Sequence, residues 1–131
     1  MTAKYHLKQA SNGQFVFTLH APNGRVLLTS ERYTDKEDAL SGIEAARQFS
    51  GTEQRYQRTF NHDGEPFFVL RNPQRQTIGT SERFSNWNAL DVATTAAIRY
   101  GPKAPMFEIA ADPADEADMA RLALHVKTGQ A

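Results

Sequence analysis

The chain has 131 residues, 15 Lys/Arg against 15 Asp/Glu, and no cysteine. That length carries one ordinary domain with a single core. The zero net charge excludes a global field drawing the chain to nucleic acid or anionic lipid, and the missing thiols exclude disulfides, thiolate nucleophiles and zinc–cysteine sites.

Met1-Thr2-Ala3-Lys4-Tyr5-His6 contains no apolar core of a signal peptide, and no apolar run approaches the ~20 residues of a membrane span. A cytoplasmic protein is expected, with no membrane contact. Tyr5-His6-Leu7-Lys8 alternates apolar and polar residues, the period-2 pattern of a half-buried strand. Ser11-Asn12-Gly13 predicts a turn, since Asn-Gly readily supplies positive φ. Phe15, Phe17 and Leu19 then share one face of a second strand, with Val16, Thr18 and His20 on the other. Ala21-Pro22-Asn23-Gly24 is a second turn, and Arg25 to Ser30 reads as a third strand. Short turns make an antiparallel meander the economical arrangement.

The period then changes. Thr34 is expected to cap a helix, with Glu37 completing a capping box. Leu40, Ile43 and Ala46 or Arg47 follow at helical spacing, and Ser50-Gly51 stops the helix. Tyr56 opens another strand, His62-Asp63-Gly64 makes a turn, and Phe68 and Leu70 take the places of Phe17 and Leu19. Ser85 is expected to cap a second helix with Leu90, Ala93 and Ala97 on one stripe. Gly101-Pro102 ends it, with Gly expected in a left-handed cap.

A shift of 51 residues aligns the two halves. Tyr5/Tyr56, Gly13/Gly64, Phe17/Phe68, Leu19/Leu70, Pro22/Pro73 and Thr29/Thr80 match, as do Ser30-Glu31-Arg32 and Ser81-Glu82-Arg83. These are inward, turn and corner positions, so an internal duplication is expected. Met106-Phe107-Glu108-Ile109 repeats the place of Arg55-Tyr56-Gln57-Arg58, so a strand follows each helix and the last closes the sheet. The halves differ: Asn23-Gly24 becomes Gln74-Arg75, which predicts a different turn geometry, Leu28 becomes Gly79, which predicts a gap or bulge, and Lys36 becomes Trp87. The expected domain is 1–111, built of repeats 4–51 and 55–102 with a closing strand at 104–110. Residues 112–131 are expected to form a C-terminal helical appendage, with Asp115, Glu116 and Asp118 in its first turn and Met119, Leu122, Ala123 and Val126 as an apolar stripe.

The run Phe15, Phe17, Leu19, Ala21, Asn23-Gly24, Ser30-Glu31, Tyr33 and Gly42-Ile43-Glu44 resembles the YegP-like family, small bacterial proteins, often tandem, with a domain of unknown function. The second half keeps Phe68, Leu70, Ser81, Glu82 and Phe84 and departs at Gln74-Arg75 and Ala93-Thr94-Thr95. The resemblance covers about residues 4–110. It implies an α+β fold: two tandem strand-strand-strand-helix(-strand) repeats forming one antiparallel sheet, both helices on one face. It implies no reaction.

Candidate chemistry is sparse. Ser30-Glu31 and Ser81-Glu82 invite a nucleophile–carboxylate reading, but acyl transfer needs an intervening base and an oxyanion hole. Neighbouring strand residues also point to opposite faces. The Ser-Glu-Arg triplets, Arg32 and Arg83 included, therefore read as structural corners. His6, His20, His62 and His125 show no metal-ligand spacing, and the scattered glycines form no phosphate loop, so neither metal nor cofactor is expected. If both helices cover one sheet face, Val16, Thr18, His20, Phe67, Val69 and Arg71 line the open one, a surface suited to a protein or peptide. The sequence therefore points to a non-enzymatic interaction module, its partner a protein, a peptide or a second copy docking through the open face or the C-terminal helix. The alternative is single-stranded nucleic-acid binding through Arg55, Arg58, Arg71, Arg75, Arg83 and Trp87. An enzyme acting through the Ser-Glu-Arg corners is the weaker third class.

Overall fold

The structure, a computed structural model, describes residues 2–109. The expected appendage at 112–131 lies outside them, as does Ala110 at the end of the expected closing strand. Strands β1 (Lys4–Gln9), β2 (Phe15–His20) and β3 (Val26–Ser30) lead into helix α1 (Lys36–Phe49). After a 3-10 turn the order recurs as β4 (Tyr56–Phe60), β5 (Pro66–Arg71), β6 (Thr77–Thr80) and α2 (Trp87–Tyr100), and β7 (Met106–Ile109) follows. One seven-stranded sheet results, in the order β4-β5-β6-β3-β2-β1-β7.

The sheet is mixed, where the resemblance implied a wholly antiparallel one. β7 runs parallel to β1, Tyr5 opposite Met106. The cause lies at the end of α2. The Tyr5 hydroxyl donates to Gly101 O at 2.7 Å and Tyr5 N–H donates to Pro105 O at 2.7 Å. The chain thus restarts beside the beginning of β1 and runs along it in the same direction.

The pairings inside the two halves repeat at the shift of 51, except that Lys4 with His20 has no counterpart. Tyr5 faces Leu19 as Tyr56 faces Leu70, and Thr18 faces Thr29 as Val69 faces Thr80. Both halves carry a bulge just after the third-strand residue paired with His20 or Arg71, so two successive residues, Leu27-Leu28 and Ile78-Gly79, turn inward. The halves join at β3 and β6, where Thr29 pairs antiparallel with its own counterpart Thr80. A local two-fold axis passes between them. Leu28 fills the space its counterpart leaves: a Cβ on Gly79 would lie 2.8 Å from Leu28 Cγ and 2.9 Å from Thr29 O. The expected gap at Gly79 is therefore occupied from across the axis.

Both helices lie on one face. Tyr5, Leu7, Phe17, Leu19, Leu28, Phe68 and Leu70 pack there against Ile43, Ala46 and Leu90 in one cluster, each fully buried large side chain contributing about 1.5–3 kcal/mol. The caps sit one residue later than the sequence suggested. Asp35 caps α1, its carboxylate accepting from Asp38 N–H at 2.8 Å, and Asn86 caps α2, accepting from Ala89 N–H at 2.8 Å. Thr34 and Ser85 precede them as part of the approach. Gly101 is not left-handed: its φ is −57°. Glycine is needed there for room, because a Cβ would meet the Ser50 side chain. The second hairpin turn is likewise not a new geometry. Arg75 takes φ 67° where Gly24 takes 87°, and Arg75 N–H donates to Asn72 O as Gly24 N–H does to Ala21 O. A non-glycine residue there is strained. Asn72 and Arg71 hold it, Asn72 Oδ1 accepting from Gln76 N–H at 2.9 Å and an Arg71 Nη1 N–H donating to Arg75 O at 3.1 Å.

Candidate functional site: the sheet face away from the helices

Because strand side chains alternate, the inward set fixes the outward one. Val16, Thr18, His20, Phe67, Val69 and Arg71 all lie on the face away from the helices, each half-buried by its neighbours. Register aligns a row across the whole sheet on this side: Phe107, His6, Thr18, Thr29, Thr80, Val69 and Gln57. The centre is a strip of threonines and a valine. Phe107 stands 50 % exposed at one end.

Charge on this face is one-sided. Lys4, Lys8 and Arg71 point outward, and among the described strand positions sharing the face no Asp or Glu occurs. Glu108, the carboxylate of β7, lies opposite Leu7 on the helix side and pairs with Lys36. The imidazoles of His6 and His20 meet with ring centroids 4.2 Å apart, and Thr18 Oγ1 lies 2.8 Å from His20 Nε2. Burial first, then His20, Lys4 and Lys8, hold His6 below the usual imidazole value. A proton on this face therefore meets positive surroundings.

The Ser-Glu-Arg corners do a different job. Ser30 Oγ accepts from Phe17 N–H at 2.9 Å and donates to Glu31 O at 2.7 Å. Ser81 Oγ accepts from Phe68 N–H at 2.9 Å and donates to Glu82 O at 2.8 Å. Each hydroxyl is thus committed to the backbone where a strand leaves the sheet. The carboxylates point elsewhere: Glu82 pairs with Arg25 at 2.5 Å on the surface. Arg83 lies 6.0 Å above the Phe67 ring.

A profile of the domain of unknown function DUF1508 matches residues 10–57. The UPF0339 protein PA0329 of Pseudomonas aeruginosa is 38% identical over 104 residues, covering 79% of this chain and 94% of the relative. The chain belongs to the UPF0339 family. The UPF0339 protein YegP of Yersinia pestis is 37% identical over 97 residues, 74% of this chain and 87% of that protein. Among solved UPF0339 structures, the solution structure of SO3888 from Shewanella oneidensis is 35% identical with a TM-score of 0.79, covering 86% of this chain and 96% of its own. The solution structure of yegP from E. coli, described as a protein of unknown function, is 29% identical, also with a TM-score of 0.79.

On this UPF0339 fold the arginines singled out with Trp87 divide: Arg55, Arg71 and Arg75 line one cleft, while Arg58 and Trp87 lie apart from it on the helix side. Arg71 lies on the face away from the helices and Arg75 in the second turn. Arg58 sits opposite Phe68 on the helix side and pairs with Glu53 at 3.3 Å and Asp91 at 3.5 Å. Trp87 starts α2 beside Phe60. Sequence reasoning missed the histidine pair and the charge segregation. Both were legible once β1 was registered on β2, because Lys4, His6 and Lys8 alternate with Tyr5 and Leu7 and must share a face with His20. No described helix is long and apolar enough to cross a membrane.

Proposed function

We propose that this UPF0339 protein is a cytoplasmic, non-enzymatic interaction module, born of a tandem duplication, whose sheet face away from the helices binds an acidic segment of a protein partner. One observation carries the reading: in a chain of zero net charge, the described strand positions of one face hold no carboxylate and include Lys4, Lys8, Arg71 and two imidazoles. Such a face steers an acidic partner at low salt. The threonine and valine strip gives it apolar contact, and exposed Phe107 an anchor.

Titration of the isotope-labelled chain with a short glutamate-rich peptide is expected to shift the amides of Lys8, Val16, Thr18, His20 and Arg71 and leave those of α1 and α2 in place. Lys4→Glu with Lys8→Glu is expected to abolish the shifts. Binding is expected to raise the His6 imidazole toward its usual value, read from its ring proton signals against pH. Unmoved face amides at low salt defeat the reading. Tighter binding of a single-stranded oligonucleotide at the same amides would replace the acidic protein with nucleic acid.

A further inference from the structure

Each pairing of β1, β2 and β3 with one another recurs between β4, β5 and β6. The outermost ladder does not. β1 carries β7 along its outer edge, whereas its counterpart β4 ends the sheet and carries no strand among the described residues. The occupied edge is thus a template for the empty one. On β1, Tyr5 N–H donates outward to Pro105 O, so alternation turns the backbone of Leu7 and Gln9 outward too. Their counterparts Arg58 and Phe60 accordingly present N–H and C=O groups outward from β4.

The side chains beside this edge have changed character. Arg58 stands in the place of Leu7, Phe60 of Gln9 and Trp87 of Lys36. Phe60 and Trp87 meet edge-on at 6.4 Å and remain 62 % and 49 % exposed. At the N-terminal end of β4, Arg55, Arg71 and Arg75 line a cleft with Gln57. On the occupied edge, by contrast, Lys36 is satisfied by Glu108 of β7.

We propose that the β4 edge is a second binding site, filled by an extended segment of another protein that adds parallel to β4. The β1–β7 register fixes how it lies. The ligand residue opposite Arg58 takes the place that Glu108 takes opposite Leu7, and the residue two further on falls beside Phe60 and Trp87. The residues before it enter the arginine cleft. The ligand is therefore acidic at its start, acidic again opposite Arg58, and apolar after that. Main-chain bonds supply affinity and the alternate side chains specificity. Glu53 and Asp91 now hold Arg58, but both are exposed, so exchanging them for a ligand carboxylate costs little. A second copy is disfavoured as the occupant, since full antiparallel overlap of two β4 strands sets Arg58 against Arg58.

Trp87 is the only tryptophan, so its emission reports on this edge directly. The probe is a synthetic peptide, Asp-Glu-Pro-Met-Phe-Glu-Ile-Leu, whose Pro-Met-Phe-Glu-Ile is the chain's own sequence at 105–109. Added to the full chain, it is expected to shift Trp87 emission to the blue saturably and to move the amides of Arg58 and Phe60. Arg58→Glu is expected to weaken binding about tenfold, and a peptide with Lys in place of its second Glu to restore it. Unmoved emission and amides would overturn the proposal. So would shifts at Tyr5 and Leu7, which mean that the peptide displaces β7, or self-association that moves the Arg58 and Phe60 amides without peptide. Failure of the open-face reading registers instead at Val16, Thr18 and His20 of β2, so the two outcomes separate.

Discussion

Gly42 and Tyr33 are matched in the first half as Ala93 and Phe84 are in the second. A Cβ on Gly42 would run into the Tyr33 hydroxyl and come within 3.0 Å of Phe17 Cε2. Tyr33 lies stacked on Phe17, 6.3 Å between centroids. Where the second half has Phe84, the hydroxyl is gone and Ala93 fits, 6 % exposed. Gly42→Ala is therefore expected to destabilise by about 1–2 kcal/mol, overpacking outweighing the helix propensity that alanine adds. Tyr33→Phe in the same chain is expected to recover part of the loss, and thermal melts of the two variants check it. From one sequence, Gly42 read only as part of the Gly-Ile-Glu run. Its reason is a contact between a corner and a helix, which no local pattern encodes. Arg75 is the opposite lesson: the departure from Asn-Gly was visible, but the surrounding turn overrode local preference and kept the geometry.

At the scale of elements, the first strand of each half holds the end of the other's reach through a tyrosine. The Tyr5 hydroxyl donates to Gly101 O beyond α2, and the Tyr56 hydroxyl to Ser50 O beyond α1, both at 2.7 Å. Burial pushes the Tyr5 phenol up to about 12, contacts with Ser50 and Arg47 only partly opposing it. Burial also raises Tyr56, with Tyr5 adding to the effect. A folded-state pKa above the unfolded one means that this stability is complete below pH ~10 and drains away as pH rises through the folded value. Alkaline melts are expected to fall steeply from about pH 10 to 12, and ultraviolet titration to show Tyr5 and Tyr56 ionising only with unfolding. Tyr56→Phe is expected to cost about 1–3 kcal/mol, since Ser50 O loses its donor. The repeat identified both tyrosines as equivalent, yet not their crossed targets. Helix caps were legible to within one residue, because Thr34-Asp35 and Ser85-Asn86 each offer two good capping side chains and only the approach angle chooses between them.

For the whole molecule, the strand order within each half was legible from period and repeat, and the single helical layer followed from the family resemblance. The parallel β7 was not legible, since its direction depends on where α2 ends in space. Net charge proved a poor guide to the surface: the total cancels while the described strand positions of one face hold no carboxylate. The seam between halves rests on a knob and a hollow, Leu28 and Gly79. Gly79→Ala is expected to cost about 1–3 kcal/mol, and distinctly less in a chain already carrying Leu28→Ala. A double-mutant cycle by denaturant melts is expected to give about 1–2 kcal/mol of coupling, and simple additivity would deny the contact. That seam also sets a rule of assembly. Two first halves brought together across β3 would drive leucine against leucine, and two second halves across β6 would leave a void. Should chains trade halves, each junction must still join unlike with unlike, so exchanged assemblies keep equal numbers of both kinds, and a lone first half has no twin with which to complete the sheet.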